Sequence, residues 1–380
     1  MNLALLFTRS VSLDKWVSSG LFEREKLIYE KHLKLNNFDY VYWFTYGVHD
    51  NKLASRLYSE KRLNERVRVI GMPRFFNFKI GVYLYSFLLP FIHSQTVRKC
   101  GFIKTNQMDG SWTAVIAKWV FNKKLVIRTG FILSQLENRL KRKSYFKLKI
   151  IELLEKVAYK SADICVVTAE HNRNYIAEKY NIPREKIRII YNYIDTDLFK
   201  PDKSIVKYKD RIVYVGRLSE EKNLFNLISA ISETKLTLDI YGAGPLIYKL
   251  KQFAKNINAK VNFNGIVQNS MLPDILNKYI FFILPSLFEG MPKTLLEAMG
   301  CGLICIGTDV VGINEVIEHN KNGILVFGTD TNNIRKTIES TVNSEYKEIS
   351  AAATINIKDK FALKVIAEKE KKLFKKLLTS

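Results

Sequence analysis

The feature that most constrains the fold is an alternation running through the chain. Short β-branched or aromatic runs are each followed by a helix-length amphipathic stretch. In the first half the runs are NLALLFT, DYVYWF, VRVIG, FIKTN, KLVIR and DICVVT. Helical patterns fall at Leu21 to Leu35, Phe78 to His93, Trp112 to Phe121, Tyr145 to Tyr159 and Glu170 to Tyr180. Apolar runs of strand length separated by crossover-length segments predict a parallel sheet with helices on its faces. Across residues 191–210 the pattern lapses into the polar YNYIDTDLFKPDKSIVKYKD. It then starts afresh as RIVYVG, LTLDIYGAG, VNFNG, YIFFILPS, LICIGTD and GILVF. The expected fold is therefore α/β, with two Rossmann-like domains facing across a cleft. Their expected bounds are 1–195 and 196–360, followed by a C-terminal helix, 361–380, packing back toward the first domain. Phe361, Ile366, Leu373, Leu377 and Leu378, with lysines between them, give that helix an apolar stripe to bury.

With 380 residues, 47% of them apolar, the chain can supply two cores. Cys100, Cys165, Cys301 and Cys305 show neither CxxC spacing nor a disulfide framework. Met1-Asn2-Leu3 runs straight into the first strand pattern, without a leader signature. These features predict reduced thiols and a cytoplasmic location. The longest uncharged run, Ile80 to Val97, is strongly apolar only to Ile92. That is well short of the roughly 20 residues a spanning helix needs.

The net charge of +23 is unevenly spread. Residues 51–150 hold 21 Lys and Arg against 4 Asp and Glu, whereas residues 1–50 balance at 6 against 6. A strong positive field on the N-terminal half implies an anionic partner, such as an acidic lipid surface, a phosphorylated acceptor or nucleic acid. No nucleic-acid-binding motif accompanies the charge.

Ligands of open parallel sheets collect at the carboxyl ends of the strands, which directs attention to FEGMPKTLLEAMG, residues 288–300. The apolar run YIFFILPS delivers Glu289, Gly290 and Met291 to that edge, and Pro292 suits a first helical turn. Amides of Lys293, Thr294 and Leu295 would then form an anion site strengthened by the helix dipole. Glu289 in the loop could accept hydrogen bonds from a sugar, and Gly290 would let the backbone approach it. Glu297, farther along the helix and away from the phosphates, could accept from both ribose hydroxyls. The strand RIVYVG ends in Gly216-Arg217 with Lys222 five residues on, placing two cations at the same edge. Two cations beside a helix N-terminus make a diphosphate site without a metal.

GRLSEEKN, DIYGAGPL, VNFNGIV, PSLFEGMPKTLLEAMGCGL and GTDVVGINEVI, in that order, resemble the C-terminal domain of the family 4 glycosyltransferases. The upstream segment VVTAEHNRNYIAEKYNIPREKIRIIYNYIDTDLFKP is similar to that family's interdomain connection. The resemblance, centred on an E-x7-E element, covers residues 160–330; before that it rests on topology. It implies a GT-B fold, a retaining mechanism, a nucleotide-sugar donor and a glycan or glycolipid acceptor, with no cofactor or metal. By the same resemblance Arg217 and Lys222 hold the diphosphate, with Gly216 beside them. Glu297 holds the ribose, and Glu289 with the Gly290 to Lys293 backbone holds the transferred sugar. Thr294 and Leu295 complete the phosphate site, and Gly265 to Val267 lie near the base. Cell-surface polysaccharide assembly is the expected setting.

The acceptor side departs from the family pattern. Val17-Ser18-Ser19-Gly20 stands where a Gly-Gly loop is usual, so only Gly20 corresponds; Val126-Ile127-Arg128-Thr129-Gly130 carries Arg128 where many members have a His. Asn106 and Gln107 follow a strand and are expected either at the acceptor site or as helix caps. Asp195-Thr196-Asp197 has the D-x-D form of metal-dependent transferases, but it lies in the connecting segment. The basic stretch Arg139 to Lys149 leads into a helix with Phe146, Ile150, Leu153 and Val157 on one face. That face would pack on the sheet or meet an anionic membrane. The alternatives to a transferase are a GT-B epimerase or phosphorylase, and a non-catalytic anion- or nucleic-acid-binding protein.

Overall fold

The structure, a computed structural model, describes residues 1–139, 145–344 and 347–379; Leu140 to Ser144 of the basic stretch lie outside them. The chain divides into two compact units, Met1–Tyr191 with Ala367–Ser380, and Asn192–Ile366.

The first unit holds β1 (Asn2–Leu6), β2 (Val41–Phe44), β3 (Val67–Ile70), β4 (Cys100–Thr105), β5 (Lys124–Thr129), β6 (Ile164–Val167) and β7 (Ile187–Ile189). They pair in the order β3-β2-β1-β4-β5-β6-β7, every pair parallel. The seventh strand does not stand out in the sequence. It is three residues long and follows directly on a 3-10 turn, Arg184–Lys186. The second unit holds β8 (Tyr208–Val215), β9 (Thr237–Tyr241), β10 (Val261–Gly265), β11 (Tyr279–Leu284), β12 (Ile304–Thr308) and β13 (Ile324–Val326). Their order is β10-β9-β8-β11-β12-β13, again all parallel. Each sheet reverses strand order once, at β1/β4 and at β8/β11, and these reversals are where an open α/β sheet opens a crevice for ligands.

The cores are the apolar runs themselves. In β11, Phe282, Ile283 and Leu284 are fully buried between helix layers, as a central parallel strand requires. In the first unit the helices Gly81–Ile92, Ser111–Phe121 and Tyr145–Ser161 pack one against the next. Against Phe38 and Phe102 lies Phe374 of the C-terminal helix. Beside it Glu370 accepts hydrogen bonds from Lys104 Nζ at 2.6 Å and pairs with His32 Nε2 at 2.9 Å, all three side chains buried.

Helix Tyr145–Ser161 is turned opposite to one expected arrangement. Phe146, Ile150, Leu153 and Val157 face outward, and the buried residues are Glu155, Ala158 and Tyr159. The reason is polar. Glu155 accepts from Ser134 N at 3.1 Å and from the Tyr180 hydroxyl at 2.5 Å, and this buried network fixes the helix's rotation. Among the described residues no helix is long and apolar enough to cross a membrane. All four cysteines are free and buried. Burial pushes the Cys100, Cys165 and Cys301 thiols up to about 12, and holds Cys305 well above its ordinary value.

Candidate active site

The carboxyl ends of β8 and β11, neighbours at the second sheet's reversal, carry Arg217 and the Ser286-to-Met291 loop. Lys222 lies on a 3-10 turn, Glu220–Lys222, rather than at the start of the following helix. Asn223, in the left-handed conformation, separates the two. From that turn Lys222 Nζ reaches Glu289 Oε1 at 2.5 Å, and Ser286 Oγ donates to the same oxygen at 2.7 Å. Their side chains are 16% and 4% exposed, so the pair is largely shielded from water. An ammonium has three donors, and one is spent on Glu289.

Three backbone devices hold the Glu289 loop. Leu287 N donates to Glu221 O at 2.8 Å, tying the loop to the turn that carries Lys222. Thr308 Oγ1, at the end of β12, donates to Ser286 O at 2.5 Å. Glu289 N donates to Val311 O at 3.3 Å, while Gly312, at φ +86°, approaches so closely that a Cβ there would stand 2.4 Å from Gly290 O. Only glycine fits such a contact.

Helix Lys293–Gly300 follows, with Pro292 as its N-cap rather than inside the first turn, and no side-chain cap. Pro292 has no side-chain acceptor to offer the first-turn amides, those of Lys293, Thr294 and Leu295, and a helix start is a favourable place for an anion. Met291 O accepts from Asn192 Nδ2 at 2.7 Å, and the Lys293 ammonium stands 4.8 Å over the Tyr193 ring. Glu297 is buried one turn into the helix, about 6 Å along it from Lys293. Its Oε1 accepts from Asn269 Nδ2 at 3.1 Å. Arg217 is exposed and makes no ion pair among the described residues; its carbonyl accepts from the buried Tyr214 hydroxyl at 2.9 Å. Burial, with the Glu289 and Glu221 carboxylates nearby, holds that phenol well above its ordinary range.

The glycines of Tyr241-Gly242-Ala243-Gly244 serve packing. A Cβ on Gly242 would stand 1.9 Å from Gly216 O, and one on Gly244 2.2 Å from Leu218 O. Gly216 N and Leu218 N donate to Tyr241 O and Ala243 O, both at 3.0 Å, so this turn braces the Arg217 loop from behind. Gly265 has φ +72° in open space, and Val267 two residues on is half-buried. Asp195 Oδ1 accepts from Asp197 N at 3.0 Å, a local turn. Among the described residues no three His, Cys, Asp or Glu side chains converge to hold a metal.

In the first unit, Gly20 has φ +71° in the turn after helix Leu13–Ser18. Asn106 N donates to Leu6 O at 2.9 Å, beside the β1/β4 reversal. Arg128 sits in β5, close enough to Lys104 and Tyr29 for its charge to act on both. The structure thus draws Lys222 and Glu289 into contact. Gly20, Asn106 and Arg128 stand on three different elements of the first unit, after helix Leu13–Ser18, after β4 and in β5. Ser286, Asn269, Thr308 and Gly312 escaped sequence reasoning. Ser286 stands within PSLFEGMPKTLLEAMGCGL, and Thr308 and Gly312 within GTDVVGINEVI, but the sequence assigned none of them a role; Asn269 gave no signal.

Residues 195–360 match the family model described as glycosyl transferases group 1, and residues 39–198 match that described as Glycosyltransferase Family 4. An uncharacterized glycosyltransferase of Methanocaldococcus jannaschii, MJ1069, is 29% identical over 283 residues, 70% of this chain and 71% of that protein. The Escherichia coli UDP-Gal:α-D-GlcNAc-diphosphoundecaprenol α-1,3-galactosyltransferase is 30% identical over 204 residues, 49% of this chain and about half (52%) of its own length. Among solved structures, that of Anabaena Alr3699/HepE with UDP and glucose superposes with TM-score 0.76 at 18% identity, covering 99% of this chain and 100% of that one. Sucrose-phosphate synthase from Thermosynechococcus elongatus gives 0.79 at 17% identity, covering 100% and 99%. At such identities the structural likeness establishes the fold, two Rossmann-like domains of the GT-B type. With family matches across most of its length on that fold, the chain belongs to the family 4 glycosyltransferases.

Proposed function

We propose that the protein is a metal-independent, retaining hexosyltransferase that moves a sugar from a nucleoside diphosphate donor to a glycan or lipid-linked acceptor. The observation that carries this reading is the convergence of Lys222, Glu289 and the start of helix Lys293–Gly300 at the β8/β11 reversal. Lys222 gives one N–H to Glu289 and keeps two for a phosphate. Arg217 and the amides of Lys293, Thr294 and Leu295 add donors on the same group. Glu297, held by Asn269, takes the ribose hydroxyls, and Gly265 to Val267 lie at the base. The second unit, Asn192–Ile366, binds the donor, and the first binds the acceptor, with Gly20, Asn106 and Arg128 as candidate contacts.

In the reaction, the bond between the anomeric carbon and the β-phosphate oxygen breaks. The acceptor oxygen bonds to that carbon from the same face, and its proton passes to the leaving phosphate. Charge grows on the diphosphate, where Arg217, Lys222 and the helix start are preorganised to stabilise it. Glu289 and Gly290 orient the sugar. The Escherichia coli relative's activity, on a diphosphoundecaprenol-linked acceptor, supports a lipid-linked acceptor and a place in cell-surface polysaccharide assembly. A cytoplasmic enzyme resting on an anionic membrane, through its basic N-terminal half, fits that acceptor.

The test is thermal stabilisation by UDP, GDP and ADP and their sugars, with EDTA and with Glu297→Ala. A shift with one nucleotide that survives EDTA and vanishes in the variant is expected. No shift with any nucleotide would overturn the donor site.

A further inference from the structure

Helix Gly81–Ile92 contains no charged residue and is apolar on every side. Its inner stripe is fixed to the next helix. Ser86, fully buried, accepts from Trp112 Nε1 at 2.9 Å, and its carbonyl accepts from Thr113 Oγ1 at 2.5 Å. The outer stripe is Tyr83, Leu84, Phe87, Leu88, Phe91 and Ile92, at helical spacing. All six are exposed, with Tyr83 and Phe91 at 50%. Phe75, Phe78 and Ile80 continue it in the segment ahead. Helix Ser111–Phe121, packed alongside, exposes Trp119 at 66% and Val120. Helix Tyr145–Ser161, next in the row, exposes Phe146 at 73% with Ile150, Leu153 and Val157. Three helices packed in a row thus each expose apolar side chains. Soluble monomers rarely leave such a face uncovered, and a helix apolar all round is normally buried.

We propose that this face seats on an anionic lipid bilayer, with helix Gly81–Ile92 as the segment that enters the interface. The charge selects the occupant. Between Glu65 and Asp109 there is no carboxylate, while seven Lys and Arg lie in that interval. Arg74 and Lys79, exposed, precede the helix, and Lys147 and Lys156, also exposed, stand among the apolar residues of Tyr145–Ser161. An apolar stripe fringed by cations suits acidic headgroups over acyl chains. A second copy of the chain is disfavoured, because a two-fold contact would set these cations against themselves. Nucleic acid would leave the aromatic stripe unused. At the carboxyl edge of the sheet the Arg9 guanidinium stands 4.4 Å over the Tyr83 ring, so a seated face brings the β1/β4 reversal beside the lipid. This deepens the membrane part of the function proposed above, rests on it, and is independent of the transfer chemistry.

The experiment is flotation of the full chain with phosphatidylcholine vesicles, with and without 30% phosphatidylglycerol, in low and high salt. The triple variant Leu84→Gln/Leu88→Gln/Phe91→Gln is run alongside. Binding is expected only with the anionic lipid, about tenfold weaker in the triple variant and weaker in high salt. Brominated lipid should quench Trp119, with Trp119→Phe removing that component. Equal binding to both vesicle types, no binding, or binding unchanged in the variant would overturn the proposal. So would a concentration-dependent dimer abolished by the same variant, seen in sedimentation velocity. Because the three positions are exposed and belong to the first unit, whereas Lys222 and Glu289 belong to the second, nucleotide-induced stabilisation should be unchanged in the variant. That keeps failure here distinguishable from failure of the donor site.

Discussion

Lys222 and Glu289, 67 residues apart in sequence, meet at 2.5 Å, and the oxygen they share also accepts from Ser286. The cation proposed for a phosphate and the carboxylate proposed for a sugar are therefore coupled. A diphosphate and a hexose held by this pair would be fixed relative to each other before any reaction begins.

Removing one partner should cost more than removing both. Lys222→Ala leaves Glu289 buried with only Ser286, a loss on the order of 3 kcal/mol. Glu289→Ala should cost less, and the double variant should recover most of the difference, as calorimetric unfolding would show in a double-mutant cycle. Turnover should fall about 100-fold or more in all three. Additive stability losses would mean that the pair is not coupled.

Asn269 should act on the donor through Glu297. Glu297→Ala is expected to abolish nucleotide-induced stabilisation, and Asn269→Ala to weaken nucleotide binding roughly tenfold with little change in kcat, consistent with a lost hydrogen bond of about 1.5 kcal/mol. Titration calorimetry with the nucleoside diphosphate alone reads this directly. An unchanged Kd in Asn269→Ala would remove the positioning role.

Gly312→Ala should impair catalysis without touching a charged residue. At φ +86° a Cβ is strained, and this one would stand 2.4 Å from Gly290 O, so the Glu289 loop must shift. A loss of about 1–3 kcal/mol in stability and a drop in kcat exceeding the change in donor Kd are expected. Wild-type turnover in the variant would show that the loop tolerates displacement.

The buried Glu370 should make the first unit acid-sensitive. Burial alone pushes this carboxyl up, but the Lys104 ammonium and the His32 hydrogen bond overcome it and hold the group well below the usual carboxylate range. A depressed folded pKa contributes stability above the unfolded value, about 4.3. The contribution is lost as pH falls from there toward the folded value. Urea midpoints should therefore drop below about pH 4.5 in the wild type. Glu370→Gln should be weaker by about 3 kcal/mol at pH 7, with a flatter acid limb. All four tryptophans lie in residues 1–191, so their fluorescence follows this unit.

The sequence by itself determined the class of fold. Apolar runs of strand length admit little but a buried parallel sheet, and their interruption near residue 200 marks two sheets. It also located the loops on which the proposed donor site stands, because strand ends and helix starts can be read from YIFFILPS-x-FEGMPK and RIVYVGR. Only the tertiary structure decided which side chains meet. Lys222 reaches Glu289 because β8 and β11 are adjacent at the reversal of strand order, a pairing that the spacing between them in the chain does not encode. Asn269 and Gly312 likewise act from loops of other strands, across distances that only packing closes. Tertiary structure also oriented the helix Tyr145–Ser161. Its apolar periodicity left the face either packed on the sheet or turned to a membrane, and the hydrogen bonds of Glu155 to Ser134 and Tyr180 turned it outward. A period in the sequence fixes which residues share a face; the partners available inside the fold decide which way that face points.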